Sequence, residues 1–233
     1  MKWEMAENSS NSKKPKEKLD KRILVIFLII FTEVLGFSIV LPVLPFLALS
    51  LGLNVFQIGL ILSIFSLCQL FASPITGKLS DRYGRKPLLI ISQISTFIGF
   101  ILLGLANAVW ILILARLVDG LLGSNMTVSQ AYISDVSEPK NRTKVYGYSS
   151  AVFGAGLIIG PLIGGILSTI DYSTPMFFAA GICFVSILLV VIFLPESLTE
   201  REESVKLTFN DIIPIEDAKR FLKDPKFEGS YHF

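Results

Sequence analysis

The stretch ILVIFLIIFTEVLGFSIVLPVLPFL, residues 23–47, decides the fold class. It runs for 25 residues with one ionisable side chain, Glu33. A helix rises about 1.5 Å per residue, so about 20 apolar residues cross a hydrocarbon core of about 30 Å. A strand over the same residues would leave backbone N–H and C=O groups unpaired in lipid, so the run reads as a helix. No small-residue cleavage site follows it, which marks a retained span and not a removed leader.

Five further runs have the same character and place spans at Ile58–Thr76, Leu88–Ala106, Val109–Ile133, Tyr148–Ile170 and Pro175–Leu194. Composition agrees. Of 233 residues 52% are apolar and 17% charged, against about 25% charged in a soluble domain. The expected organisation is a disordered basic tail over 1–22, an all-α bundle of six transmembrane helices over 23–195, and a polar linker over 196–233. Net charge is +2, too small for a nucleic-acid partner. Cys68 and Cys183 lie inside apolar runs and His232 is the sole histidine. That leaves no basis for a disulfide framework, a metal site or an enzyme's nucleophile–base pair.

Orientation follows from the basic residues. Of the 21 Lys and Arg residues, all but Arg116 fall in four places. These are the segment before the first span, the second–third connection (Lys78, Arg82, Arg85, Lys86), the fourth–fifth connection (Lys140, Arg142, Lys144) and the segment after the sixth span. The other three connections carry none. The positive-inside rule then puts both termini in the cytoplasm, with the spans in the cell (inner) membrane.

Three ionisable residues lie deep within spans: Glu33, Arg116 and Asp119. Each costs about 2.5–3.5 kcal/mol at a helix centre on insertion scales, which marks a functional site. Arg116 and Asp119 are three apart and share a helix face, so they can pair. That pair alone could be a self-satisfying structural feature, but Glu33 would still need a partner or a water-filled cavity. Burial disfavours a charged carboxylate and a nearby guanidinium favours it, a competition suited to a group that takes up and releases protons.

Two further patterns stand out. GKLSDRYGRK, residues 77–86, reads as a tight loop whose glycines permit close packing. Asp81 can cap the next helix or accept from neighbouring basic groups. In the fifth span Gly156, Gly160 and Gly164 recur every four residues and form one bare face for close helix contact, and Pro161 removes a backbone donor. Pro42 and Pro45 are expected to break the outer end of the first helix.

On these residues, positions 21–200 resemble the major facilitator superfamily, and within it the twelve-span drug/proton antiporters. Gly77, Asp81, Arg82, Gly84, Arg85 and Lys86 match that family's cytoplasmic gating motif. Leu112, Arg116 and Gly120 match its span-four proton-transfer motif, with Asp119 where the family usually has Gln. Gly147, Gly156, Gly160, Pro161, Gly164 and Gly165 match the span-five motif associated with antiporters. The segment from Glu33 to Pro45, and Pro195-Glu196-Ser197, look like bacterial tetracycline/proton antiporters. The resemblance implies one bundle of the family's fold, made of two inverted three-helix repeats. It implies a proton gradient as energy source with no cofactor, and a drug or other small amphipathic molecule as substrate. It also implies that the glycine face of span five meets a second six-span bundle. Phe221–Phe227 resembles a linker before a seventh span, but residues 228–233 do not form one. Two readings stand: a truncated, non-transporting fragment, or a half-transporter pairing with itself or with a second chain.

Cysteines introduced at Asn107 or Asp171 are expected to react with an impermeant thiol reagent added to intact cells, and one at Ser137 is not. Equal labelling at all three positions, measured against the unsubstituted chain, would overturn the six-span topology.

Overall fold

The computed structural model describes residues 21–198. Most of the expected tail over 1–22, the linker beyond Leu198, Phe221–Phe227 and His232 lie outside the described residues. Among the described residues there are seven helices: α1 (Lys21–Ser50), α2 (Val55–Tyr83), α3 (Arg85–Gly104), α4 (Val109–Leu122), α5 (Asn125–Val136), α6 (Arg142–Leu167) and α7 (Thr174–Phe193). They make six helical spans long and apolar enough to cross a membrane, because α4 and α5 together form one, Val109–Val136.

Three expectations about where helices run need correction. The fourth span is not continuous: its helix stops at Leu122 and restarts at Asn125, with Gly123 and Ser124 between. Residues 77–86 are not a loop either. Gly77 to Tyr83 are the last turns of α2, and the whole connection to α3 is Gly84. One residue suffices because Gly84 takes φ +107°, which a side chain disfavours. Lastly, α1 does not break at Pro42 and Pro45 but stays helical to Ser50. A proline removes one N–H from the ladder, and neighbouring helices in a bundle can hold the segment regardless. Val40, Val43, Leu44, Leu47 and Ala48 are buried around the two prolines.

The packing has two-fold character. α1 packs chiefly on α6 and α7, while α4 packs chiefly on α2 and α3. Exchanging spans one to three for spans four to six reproduces the pattern, as two three-helix repeats require. α1 is the central element: 61% of its most apolar stretch is buried, against 17% in α2 and in α6. Both hydrophobic clusters run through it, one around Leu35, Ile39 and Leu44, the other around Ile26, Ile29 and Ile30.

The glycine face of α6 does not point outward to a second bundle. It is pressed onto α1. A Cβ on Gly156 would lie 3.0 Å from Val34 Cγ1 and 3.3 Å from the Leu35 backbone nitrogen. One on Gly160 would meet the Ser38 side chain and come within 3.0 Å of the Leu35 carbonyl, and one on Gly164 within 3.1 Å of the Ile39 carbonyl. The missing side chains let Ser38 Oγ donate to the Gly156 carbonyl at 2.8 Å across the two helices. Gly147 and Gly165, on other faces of α6, have open space where a Cβ would go.

Gly160→Leu is therefore expected to destabilise the bundle itself, by about 1–3 kcal/mol as an overpacked contact. Gly165→Ala should stay within about 0.5 kcal/mol. Thermal unfolding in detergent checks both, and equal midpoints for the two variants would contradict the α1–α6 contact.

Candidate functional site

In hydrocarbon a broken helix leaves carbonyls that water cannot reach, so side chains must satisfy them. Around the gap at Gly123–Ser124 they do. Gln69 Nε2 of α2 donates to the Gly123 carbonyl at 2.8 Å. Ser92 Oγ of α3 donates to the Leu122 carbonyl at 2.7 Å, and Ser95 Oγ to the Val118 carbonyl at 2.6 Å. The Gly123 N–H donates to the Asp119 carbonyl at 2.7 Å. Gly123 must be small here, since a Cβ would press on Asp119 and lie 3.0 Å from Thr96 Oγ1.

The three ionisable residues found in the sequence converge on this gap. Thr96 Oγ1 donates to Asp119 Oδ1 at 2.8 Å. Asn125, the first residue of α5, donates through Nδ2 to Glu33 Oε2 at 2.8 Å and to Thr96 Oγ1 at 3.1 Å. Glu33, Asn125, Thr96 and Asp119 thus form one hydrogen-bonded chain from α1 to α4. The N-terminus of α5 also presents its partial positive charge beside Glu33. Arg116 stands at the end of the chain, with Nη2 4.0 Å from Asp119 Oδ2. That exceeds hydrogen-bond length, and Arg116 Nε and Nη2 are buried without a hydrogen-bond partner. The guanidinium lies under the Phe65 ring, 5.4 Å from its centroid.

Beside Arg116 opens a cleft of about 100 Å3, walled by Phe37 and Val40 of α1 and by Leu62, Phe65 and Ser66 of α2. Gly120 explains how α4 comes close enough to place Arg116 there. A Cβ on Gly120 would lie 2.7 Å from Cys68 Cβ and 3.0 Å from the Phe65 carbonyl.

A second cluster gathers at the Gly84 end of the bundle. Arg85 donates through Nε to Asp135 Oδ2 at 3.0 Å, donates to Ser80 Oγ, and pairs with Asp81. The expectation that Asp81 accepts from a neighbouring basic group holds, but it does not cap α3. That role falls to Glu196, which accepts from the backbone N–H of Arg85 at 2.8 Å and of Lys86 at 3.2 Å. Lys86 Nζ donates to the Val191 carbonyl at 2.9 Å, and Arg82 lies 5.2 Å from the Tyr83 ring centroid. Gly77 sits inside α2, where its missing Cβ would make ordinary contact with Thr127. Ser197 Oγ donates to Asp135 Oδ2 at 3.0 Å.

Sequence reasoning named the charged residues and missed Thr96, Asn125 and Asp135. Thr96 belongs to a run of buried polar residues on α3, Ser92, Gln93, Ser95 and Thr96. Such a polar stripe in a span is a signal for a partner. Asn125, a fully buried amide in an apolar span, offered the same signal.

Comparison with known proteins places these features in a family context. A profile described as the Major Facilitator Superfamily matches residues 26–227. The tetracycline resistance protein, class H, of Pasteurella multocida is 34% identical over 190 residues, 80% of this chain and 47% of that protein. Multidrug resistance protein 1 of Bacillus subtilis is 33% identical over 190 residues, 80% of this chain and 49% of that protein. Among solved structures, the human organic anion transporter MFSD10 (TETRAN) superposes with a TM-score of 0.70 at 25% identity, covering 82% of this chain and 52% of that one. The chain spans about half the length of the curated relatives it matches.

Arg85→Ala would leave two carboxylates without their partner. The expected loss is about 2 kcal/mol, below the 3–5 of a fully buried pair because Asp81 is 40% exposed. Glu196→Ala, which removes a helix cap, should cost about 1 kcal/mol. Unfolding midpoints of the two variants in detergent check the order.

Proposed function

The chain belongs to the major facilitator superfamily and is a multi-pass membrane protein, and on that premise we propose that it forms one six-helix bundle of a proton-coupled exporter of small amphipathic molecules. The observation that carries this reading is the buried chain from Glu33 through Asn125 and Thr96 to Asp119, ending beside Arg116. Two carboxylates sharing a hydrogen-bonded chain at a helix gap form a group that can hold a proton between them. Proton entry through that group drives export of a molecule bound in the neighbouring cleft. Glu33 carries the coupled proton, because it is the partly exposed carboxylate of the two. Asp119 and Thr96 hold Asn125 in place to meet it.

In this reading both termini are cytoplasmic, which the distribution of Lys and Arg supports. The cluster of Asp81, Arg85, Asp135 and Glu196 then sits on the cytoplasmic side. It is a latch whose making and breaking accompanies opening of that face. A second six-helix bundle, a copy of this chain or a different one, completes the cavity. The energy source is the proton gradient, with no bound cofactor. The relatives named for tetracycline and multidrug resistance support an amphipathic drug as cargo.

Tetracycline binding to the purified chain in weakly buffered detergent is expected to release about one proton per molecule bound, by linkage. Glu33→Gln should bind but release almost none. Unchanged proton release in that variant would move the coupled proton to Asp119. Transport is tested in vesicles with an imposed proton gradient. One sample carries this chain alone, and the other carries it with the C-terminal half of the class H tetracycline relative. Tetracycline movement no greater than in empty vesicles in both arrangements would overturn the exporter reading.

A further inference from the structure

Arg116 is the charged residue in the lining of the cleft between α1, α2 and α4. It is 3% exposed, and two of its guanidinium nitrogens, Nε and Nη2, have no hydrogen-bond partner. Leaving buried donors unmade costs about 1–3 kcal/mol each, more for a charged group. Three local groups could have accepted a hydrogen bond from these nitrogens, and none does. Asp119 stands 4.0 Å away and spends Oδ1 on Thr96. The Phe65 ring covers one face of the guanidinium but accepts nothing from donors that lie in the guanidinium plane. Ser66, the polar residue of the cleft wall, forms no hydrogen bond with Arg116.

The rest of the wall is apolar: Phe37 and Phe65, 6.0 Å apart between centroids, with Val40 and Leu62. A hydrated inorganic anion would satisfy the guanidinium but leave those side chains against water. A purely apolar molecule would cover the walls and leave the guanidinium orphaned. An occupant that meets both demands has an apolar, ring-sized body and a planar acidic group. A guanidinium presents paired N–H donors in a flat fork that matches a carboxylate in two parallel bonds.

We propose that the Arg116 cleft is a subsite for the acidic group of an amphipathic organic acid, with the carboxylate on Arg116 and the apolar body against the wall formed by Phe37 and Phe65. That the occupant is transported cargo rests on the exporter reading; the binding itself does not. The cleft then sorts molecules by charge at one end. An amide of the same shape offers one weaker acceptor and two donors, and donors facing a guanidinium repel.

The test is equilibrium binding to the purified full chain in lipid nanodiscs, with naphthoate and its neutral isostere naphthamide as probes. Naphthoate is expected to bind at least about tenfold more tightly, the range of a charge-assisted hydrogen bond. Arg116→Met should erase that preference, and Arg116→Lys should keep part of it. Should Arg116→Met fail to fold, Ser66→Phe serves instead. It fills the cleft from an exposed position and should weaken naphthoate binding with Arg116 intact. Equal binding of the two probes, a preference that survives Arg116→Met, or naphthoate binding unaltered by Ser66→Phe would each overturn the proposal. So would displacement of naphthoate by an equal concentration of inorganic sulfate, which would make the site one for small anions. Loss of the preference alongside intact gradient-driven transport removes this subsite alone. An intact preference without transport removes the exporter reading alone.

Discussion

In a bilayer interior, a helix that stops must have its free carbonyls met by protein, and the gap at Gly123–Ser124 imposes that demand on everything near it. It explains why α3 carries Ser92, Ser95 and Thr96 on the side facing α4, and why Gln69 stands on α2 opposite Gly123. It also explains how a cluster of polar groups comes to exist at this depth. Once α3 must supply hydroxyls to repair the backbone, one of them, Thr96, is available to orient a carboxylate. Once α5 must begin again inside the membrane, its first residue, Asn125, can reach across to Glu33. The helix gap and the ionisable site are one construction.

That construction needs α1 held in a definite place, and α6 holds it. Three glycines on α6 allow the two helices to touch backbone to side chain, at separations that a Cβ on Gly160 would spoil and one on Gly156 or Gly164 would crowd. The contact does not depend on hydrophobic driving force, which is weak between helices in lipid. It depends on close van der Waals fit and on the Ser38 hydroxyl donating to the Gly156 carbonyl. Ser38 lies little more than one turn from Glu33 along α1, so the position of the carboxylate follows from a contact on the opposite partner. Gly120 does the same for Arg116, by drawing α4 onto α2. At both contacts between the repeats small residues set the separation, and the separation sets where the charges sit.

At the Gly84 end the logic is electrostatic. A one-residue turn places α2 and α3 side by side with several backbone N–H groups of α3 unsatisfied. A carboxylate from beyond α7, Glu196, meets two of them. Arg85 then ties together α2, α3 and α5 through Asp81 and Asp135. The end of the last described span is thereby fastened to the first repeat. Movement between the repeats would have to break the Arg85–Asp135 and Glu196 contacts.

The residues alone determined the number of spans, their approximate limits, the sidedness of charge, and the identity of Glu33, Arg116 and Asp119 as the ionisable groups in the membrane. Those properties depend on length, composition and local spacing, which a chain carries wherever it folds. Tertiary structure decided the rest. It turned the expected loop at residues 77–86 into helix, because an i,i+4 ion pair and a glycine with positive φ make a one-residue turn sufficient. It directed the glycine face of α6 onto α1, although spacing by four shows only that a face is bare, not which neighbour fills it. It broke the fourth span at Gly123, since the donors that make such a break tolerable lie some 30 and 50 residues away in the chain, on α3 and α2. Thr96 and Asn125 became site residues by the same long-range route. A polar side chain in a span announces that it has a partner, and only the packed bundle says which one.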